Sequence, residues 1–523
     1  MSVAPAPRRS KGAAAGATAA ATFINRRARP LLALLLGALA IVTILLANRK
    51  PLWNDELFTF YISGLPTPSD IWSVLETGVE QTPFFFYIVT QASMQLFGDG
   101  LLAVRLPEVL GSVLTGACLF AFVARRSAPV YGFVAVLFVF ATIAHGYAYE
   151  ARAYSLVLGF CAAALLCWQL VTEGGPHRRL AAVGLALSLA AAVGSHYYAV
   201  LVLIPLIAGE AARMLVRRRV DWLVFGAFGG ALIPLLVFAP LIRESGEYST
   251  NFWAEPSWSA AVRFFPDALL DRALPVVIGL ILASAAFAAV RSSRRPGHAS
   301  RAQRRPPTHE LVALLTFLLL PLLGVALGLL VTDAFTDRSV LPALLGLAIL
   351  IALTAWWADR DAPFAAISLL VALLVFAGAR TAERFDEAAA DADHQAQALS
   401  FLERHATPGD PIVIASPHDF FELSHRAARE SERAFLYLAD TRLAVKHLDT
   451  DAVELGMVGL EDIAPLNVEP YRPYLASHPR FRVYARDGAW DWLSTELRSN
   501  GAATRVLARD PRNGAVLAEV RPG

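Results

Sequence analysis

Asp55 and Glu56 stand side by side in WNDELFTFY, and a carboxylate placed in such a loop can take the proton of an attacking hydroxyl. Further along come Gln81 in EQTPFFFY, Arg105 in GLLAVRLP, and the run HGYAYEARAY, which holds His145, Tyr149, Glu150 and Arg152. His196 and Tyr197 follow in SHYY, and Arg338 in DAFTDR. Each has a structural explanation when taken alone. Acids after an apolar run cap a short helix, a lone arginine snorkels to headgroups, and histidine and tyrosine populate any membrane interface. Taken together, six segments far apart in sequence bring carboxylate, guanidinium, imidazole and amide to the ends of apolar runs. That set suits a cavity for an anionic lipid headgroup, because guanidinium pairs with phosphate oxygens in bidentate fashion.

The elements that must position these groups are membrane spans. The 523 residues are 56% hydrophobic and 17% charged, with mean hydropathy +0.49, too apolar for a water-soluble average. With 46 basic against 44 acidic residues, a nucleic-acid partner is excluded. Cys118, Cys161 and Cys167 all lie in apolar runs, which excludes a disulfide framework, a cysteine zinc site and a CxxC redox centre. A span needs about 20 apolar residues. Eleven segments qualify: 30–48, 101–124, 129–147, 154–172, 180–195, 197–212, 220–242, 273–290, 311–331, 339–357 and 363–379. A further stretch, PFFFYIVTQASMQLF from Pro83 to Phe97, is short and carries Gln91, Ser93 and Gln95. Basic clusters occur at Arg8–Arg29, Arg125–Arg126, Arg178–Arg179, Arg213–Arg219 and Arg291–Arg305. With eleven spans every one of them falls on the cytoplasmic side, as the positive-inside rule requires. Counting 83–97 as a span would invert all but the first, so it reads as an interfacial or re-entrant helix. Arg49 and Lys50 are the exception, at the outer end of the first span, where they could meet anionic lipid or phosphate.

Residues 1–29 are basic and Ala-rich and read as a disordered N-terminus, with the following apolar run a retained anchor and not a cleaved signal. The membrane domain extends over 30–380. From 381 to 523 the composition becomes charged and mixed. Strands are expected at Pro411–Ser416, Phe481–Ala485, Ala503–Ala508 and Val516–Val520, and a helix at Trp490–Ser499. The fold class is therefore a mainly α-helical polytopic membrane protein with a C-terminal soluble α/β domain. An odd number of spans from a cytoplasmic N-terminus places that domain outside the cell.

The first-loop acidic pair, TPFFFY, FGDGLLAVRLP, YEARAYSL and DRSVLPAL, in that order over about residues 30–360, resemble the GT-C integral-membrane glycosyltransferases. The branch is that of the bacterial protein O-mannosyltransferases and aminoarabinose transferases. Where that branch has His-Pro-Pro-Leu-Tyr-Tyr, this chain has Gln81-Thr82-Pro83-Phe84-Phe85-Phe86-Tyr87. The resemblance implies a sugar transferase with a polyprenyl-phosphate sugar as donor and Asp55 as the catalytic acid of the motif, with Glu56 its partner. By the same resemblance Arg152 and Arg338 match positions that face the cavity and Arg105 matches the arginine of the RLP segment, so these three are the expected donor-phosphate ligands. From the convergence of polar groups above, Gln81, His145, Tyr149, Glu150, His196 and Tyr197 are expected to line the substrate cavity.

The chemistry fits that reading. A lipid phosphate leaves without protonation, so one carboxylate suffices, whereas a glycosidase needs two at a set separation. Asp55 is the expected general base, its pKa raised by Glu56 and partial burial, and direct attack at the anomeric carbon inverts configuration. The acceptor would be a glycan, lipid or protein, and the site the inner membrane of a bacterium. Asp55 and Glu56 could also hold Mg or Mn through oxygen ligands. Two other classes fit parts of the sequence: a flippase of lipid-linked sugars, which would place its charges near mid-membrane, and an outer-face assembly protein with a membrane scaffold.

Overall fold

The computed structural model describes residues 9–248, 251–270, 272–293, 305–359, 362–407, 409–427, 435–464, 466–510 and 512–521. Among them, six helices are long and apolar enough to cross a bilayer alone: Ala28–Arg49, Leu101–Arg126, Tyr154–Glu173, Arg178–Ser195, Tyr197–Arg217 and Phe364–His405. Four further candidate crossings are broken by bends: Pro129–Phe140 with Ile143–Tyr149, Trp222–Val237 with Ala239–Gly246, Trp258–Ala268 with Ala273–Phe287, and Thr308–Phe317 with Leu320–Thr332. Ala343–Ala358, a shorter apolar helix, completes the set read from the sequence. Hydropathy does not show the bends. In two of these pairs a proline, Pro240 or Pro321, falls at the second position of the downstream helix. There proline is tolerated because a first-turn N–H would have no intrahelical acceptor, while it cannot continue the helix before it.

Phe84–Phe97 is a separate helix of 14 residues, about 21 Å long at the α-helical rise and too short for a hydrocarbon core. Two of its polar side chains are satisfied by neighbouring carbonyls. Gln91 donates to the Leu65 carbonyl at 2.7 Å and Ser93 to that of Ala103 at 2.6 Å.

Two glycines set a close crossing in the bundle. A Cβ on Gly111 would meet Leu156 Cα at 2.6 Å, and one on Gly159 would meet the Gly111 carbonyl oxygen at 2.6 Å. Only small residues let the two spans approach this closely. Buried Glu108 ties the same pair at the helix start, accepting from the Leu156 amide at 2.8 Å, while Ser155 donates to the Glu108 carbonyl at 3.0 Å. The loop just before Tyr154, which carries Arg152, is thereby fixed against the 101–126 span.

Two expectations need correction, and the basic clusters show a feature beside them. Residues 9–26 form a helix rather than a disordered tail, with Ala17 and Ala21 buried. Alanine has the highest helix propensity, and its small side chain lets a basic segment pack closely. The basic ends of the spans also carry acids. Arg126 grips Glu310 through Nε at 2.9 and 2.8 Å, Arg125 and Arg126 pair with Glu173, Arg213 pairs with Glu210, and Asp221 is shared by Arg178 and Arg213. Most of the Arg291–Arg305 cluster lies outside the described residues. Finally, the helix Phe364–His405 runs unbroken through the domain boundary expected at 380, and the first strand begins only at Ile412.

The C-terminal domain is a six-stranded sheet in the order β3-β2-β1-β4-β6-β5, formed by Ile412–Ile414, Phe435–Ala439, Val468–Pro470, Phe481–Ala485, Ala503–Arg509 and Val516–Arg521, numbered along the chain. β3, β2, β1 and β4 are parallel neighbours, and β6 and β5 add antiparallel. One apolar cluster joins this domain to the first loop, with Leu57, Phe58 and Ile62 packed in the same core as Phe420, Phe421, Leu423 and Met457. The sheet domain therefore shares a core with the helix that bears Asp55.

Candidate active site

Asp55 and Glu56 lie in the first turn of the helix Asn54–Ser63, where the helix dipole favours acids. They diverge from there. Glu56 is fully buried and receives Arg105 Nε at 2.7 Å, Arg105 Nη2 at 2.6 Å and the Ala151 amide at 2.6 Å. Arg105 spends its remaining donors on the carbonyls of Ala47 and Lys50 at 2.6 Å and Pro51 at 3.0 Å. A guanidinium has five N–H groups, and these contacts use all of them. Neither Arg105 as a phosphate ligand nor Glu56 as a reacting carboxylate fits this geometry. The pair holds the first-loop helix against the 101–126 span and against the loop of Arg152.

Asp55 turns the other way. Its Oδ2 accepts from Arg338 Nη1 at 3.0 Å and lies 4.0 Å from Arg152 Nε. Its side chain keeps 22% of its surface accessible, against none for Glu56. Arg152 also donates to the Asp55 carbonyl at 3.2 Å and to Glu80 Oε2 at 3.1 Å. Arg338 stacks over the Tyr154 ring at 5.4 Å and the Trp253 ring at 5.8 Å. Among the described residues Arg338 makes a single hydrogen bond, so most of its donors remain for a ligand. Burial pushes the Asp55 carboxyl up, but the Arg152 and Arg338 guanidiniums, with a smaller contribution from His418, outweigh it and hold the carboxyl below its ordinary range. This reverses the expectation of a raised value, because the cations and not Glu56 set the local potential.

The sequence reading passed over Glu80. Its Oε1 accepts from the amides of Gln81 and Thr82 at 3.0 and 3.3 Å and from the Thr82 hydroxyl at 3.0 Å, leaving Oε2 for Arg152. In EQTP it is therefore Glu80 whose side chain joins the cluster, while half-buried Gln81 contributes its amide to holding that carboxylate. An acid just before a proline-initiated apolar helix was the available signal.

His196 borders the site with its ring 5.5 Å from Tyr154, and its Nδ1 accepts from the Tyr198 amide at 3.3 Å. Burial, reinforced by Arg152 and Arg338, lowers its pKa to about 3, so the imidazole is neutral at physiological pH. Tyr197 packs half-buried against the apolar cluster of the first loop.

Three expected cavity residues are used elsewhere. Both ring nitrogens of buried His145 are taken, Nε2 by Thr43 at 3.0 Å and Nδ1 by Arg384. Tyr149 packs with Leu46 and Ala47, and Lys50 lies 5.7 Å over its ring. Lys50 also pairs with Glu150, which explains a cation at the end of the first span. These residues fasten that span to the 143–150 segment.

The fold, a polytopic helical bundle with a small α/β domain packed on the helix that bears Asp55, is of the GT-C kind that the sequence resembles. Two solved structures show it over nearly the whole chain. ArnT from Cupriavidus metallidurans in the apo state is similar at 13% identity with TM-score 0.55, covering 93% of this chain and 97% of that one. ArnT from the same organism bound to undecaprenyl phosphate is similar at 15% identity, with the same TM-score and coverage. Residues 80–243 match the family model of dolichyl-phosphate-mannose-protein mannosyltransferases. No curated protein sequence matches the chain.

Proposed function

We propose that this protein transfers one sugar from a polyprenyl-phosphate donor to an extracytoplasmic hydroxyl acceptor on a glycan, a glycolipid or a protein, by a single inverting displacement. The observation that carries the reading is Asp55 set between Arg338 and Arg152, with guanidinium donors to spare, at one end of a GT-C bundle. The matching family is named for a lipid-phosphate sugar, and one of the similar structures holds undecaprenyl phosphate. In this reading the protein is a multi-pass protein of a bacterial inner membrane, its N-terminus cytoplasmic and its C-terminal domain outside.

The chemistry follows from the charges. As the acceptor oxygen attacks the anomeric carbon, the bond to the phosphate oxygen breaks and negative charge grows on the departing lipid phosphate. Arg152 and Arg338, already fixed, stabilise that charge without reorganisation. A bound phosphate also competes with Asp55 for both guanidiniums. Its carboxylate is then released to accept the proton of the acceptor hydroxyl, so donor binding itself raises the basicity of Asp55.

The Asp55–Glu56 pair does not suit a divalent cation, since Glu56 is committed to Arg105 and Ala151 and Asp55 faces two guanidiniums. Transfer should therefore keep its rate after EDTA treatment. A loss restored by Mg or Mn would contradict this. The transferase reading itself is tested by reconstituting the purified protein in vesicles with a labelled polyprenyl-phosphate sugar. Covalent transfer to a sugar acceptor is expected, whereas flipping of labelled lipid without transfer would favour a transporter.

A further inference from the structure

In the C-terminal domain, β1 lies between β2 and β4, and all three run parallel. The chain leaves β1 towards β2 and β3 on one side and returns to β4 on the other, so the strand order reverses between β1 and β4. Open α/β sheets bind ligands in the crevice beyond the carboxyl ends of their strands at such a reversal. Here the segment after β1 supplies His418 and Asp419, and the segment after β4 supplies Arg486 and Trp490. They meet across the crevice. Arg486 donates to both Asp419 oxygens at 2.9 and 3.3 Å, and the His418 and Trp490 rings stand edge to face at 5.5 Å.

The helix that carries His418, Pro417–Arg426, packs on the helix that carries Asp55, Asn54–Ser63, with their amino-terminal ends together, a register fixed by three contacts. Tyr61 Oη bonds His425 Nδ1 at 2.9 Å, the Phe421 ring lies 5.6 Å from Phe58, and it stacks on Tyr61 at 5.8 Å. Three residues back along each helix, from Phe58 and from Phe421, are Asp55 and His418, and on a helix such positions share a face. The two side chains interact electrostatically. His418 is half-buried, and among the described residues its ring makes no hydrogen bond.

We infer that the β1/β4 crevice seats a hydroxyl-bearing saccharide acceptor, and that His418 relays the proton the acceptor loses from Asp55 towards solvent. The inference deepens the transferase reading and rests on it. The acceptor oxygen forms its bond to the anomeric carbon as the carbon–phosphate oxygen bond breaks, the electron pair leaving with the lipid phosphate. The hydroxyl proton goes to Asp55 and passes on to the His418 imidazole. Half-exposed Trp490 offers a flat apolar face to a sugar ring, and the Asp419–Arg486 pair offers acceptors and donors to its hydroxyls.

The charges around His418 agree with this role. Asp55 faces it from the first-loop helix, with Arg152 and Arg338 behind. Asp419 and Glu422 lie on its own helix, and Arg486, on the segment after β4, is paired with Asp419. Burial lowers its pKa against the pull of Asp55 and Asp419, so the imidazole is neutral and able to take a proton at pH 7.

Two measurements test this. In full-length protein carrying 13C-labelled histidine, with His418→Gln used to assign the resonance, Asp55→Asn should lower the His418 midpoint by about half a pH unit or more, for loss of a neighbouring anion. An unmoved midpoint overturns the pairing whatever the activity. In the transfer assay, His418→Gln should lower kcat about 100-fold, the lower end of general-base effects. The acid limb of its pH profile should shift towards the carboxylate range, and imidazole should partly restore His418→Ala. A wild-type rate and limb in His418→Gln would overturn the proton role while leaving the transferase reading intact. Absence of transfer from every polyprenyl-phosphate sugar by the wild type, with the titration coupled, would instead sink the transferase reading and this role with it.

Discussion

At the scale of single residues, two arginines of the same type differ by what their donors already hold. Arg105, with every N–H committed to Glu56 and three carbonyls, is structural, whereas Arg338 has one hydrogen bond among the described residues and faces Asp55. Replacing Arg338 with Gln should therefore lower kcat about 100-fold, the scale of losing one preorganised donor to a developing oxyanion, with little change in thermal stability. Equal kcat in the variant would remove Arg338 from the phosphate site. The Glu56–Arg105 pair behaves in the opposite way. Glu56→Gln leaves a buried guanidinium unpaired, which costs about 3–5 kcal/mol, so the variant should show a lowered melting temperature in detergent before any kinetic effect is considered. Sequence could not separate these cases, because it shows a residue type but not whether its donors are spent.

At the scale of elements, the helix spans were legible because hydropathy reports burial in lipid directly, and the Phe84–Phe97 helix because its length and its glutamines argue against a span. The strands Phe481–Ala485 and Val516–Arg521 were legible too. β2, Phe435–Ala439, was not. Four of its five residues are fully buried, so it lacks the alternation that marks a half-exposed strand. β3, three residues ending in Pro470, is too short to leave a pattern. The docking of Pro417–Arg426 on Asn54–Ser63 was equally invisible, since it depends on contacts more than 360 residues apart. That contact has a pH signature. Glu422, facing Gln395 at 2.7 Å at this junction, is raised to about 7, by burial first and by Asp419 and Asp391 after it, while Gln395 and the Asn54 backbone oppose the shift. A carboxyl raised on folding binds its proton more tightly in the folded state. Its stabilising contribution is full below pH 4.5, declines as pH rises through 7 and is absent above. Asp55 has the opposite sign, since a depressed carboxyl stabilises above its ordinary range and loses that contribution only as pH falls below it. Glu422→Gln should therefore flatten the fall in melting temperature between pH 5 and 8. An identical fall in the variant would place the titrating group elsewhere.

At the scale of the whole molecule, the proposed reaction draws on both the membrane bundle and the sheet domain. A single apolar core runs from Leu57 and Phe58 to Phe420 and Leu517, the arginines proposed to meet the donor come from the bundle, and the groups proposed to meet the acceptor come from the sheet. This division explains why the motifs of residues 30–360 read as a transferase while the domain after 380 carried no recognisable signature: its part in the site is set by docking and not by a contiguous motif. The account turns on one group, Asp55, standing between cations that a lipid phosphate can take over. The most direct measurement is sugar transfer from a purified polyprenyl-phosphate donor by Asp55→Asn, in protein whose melting temperature shows it folded. Asparagine keeps the shape but cannot accept a proton, so transfer should fall by at least about 100-fold while the binding of polyprenyl phosphate persists. Transfer at the wild-type rate would contradict the account.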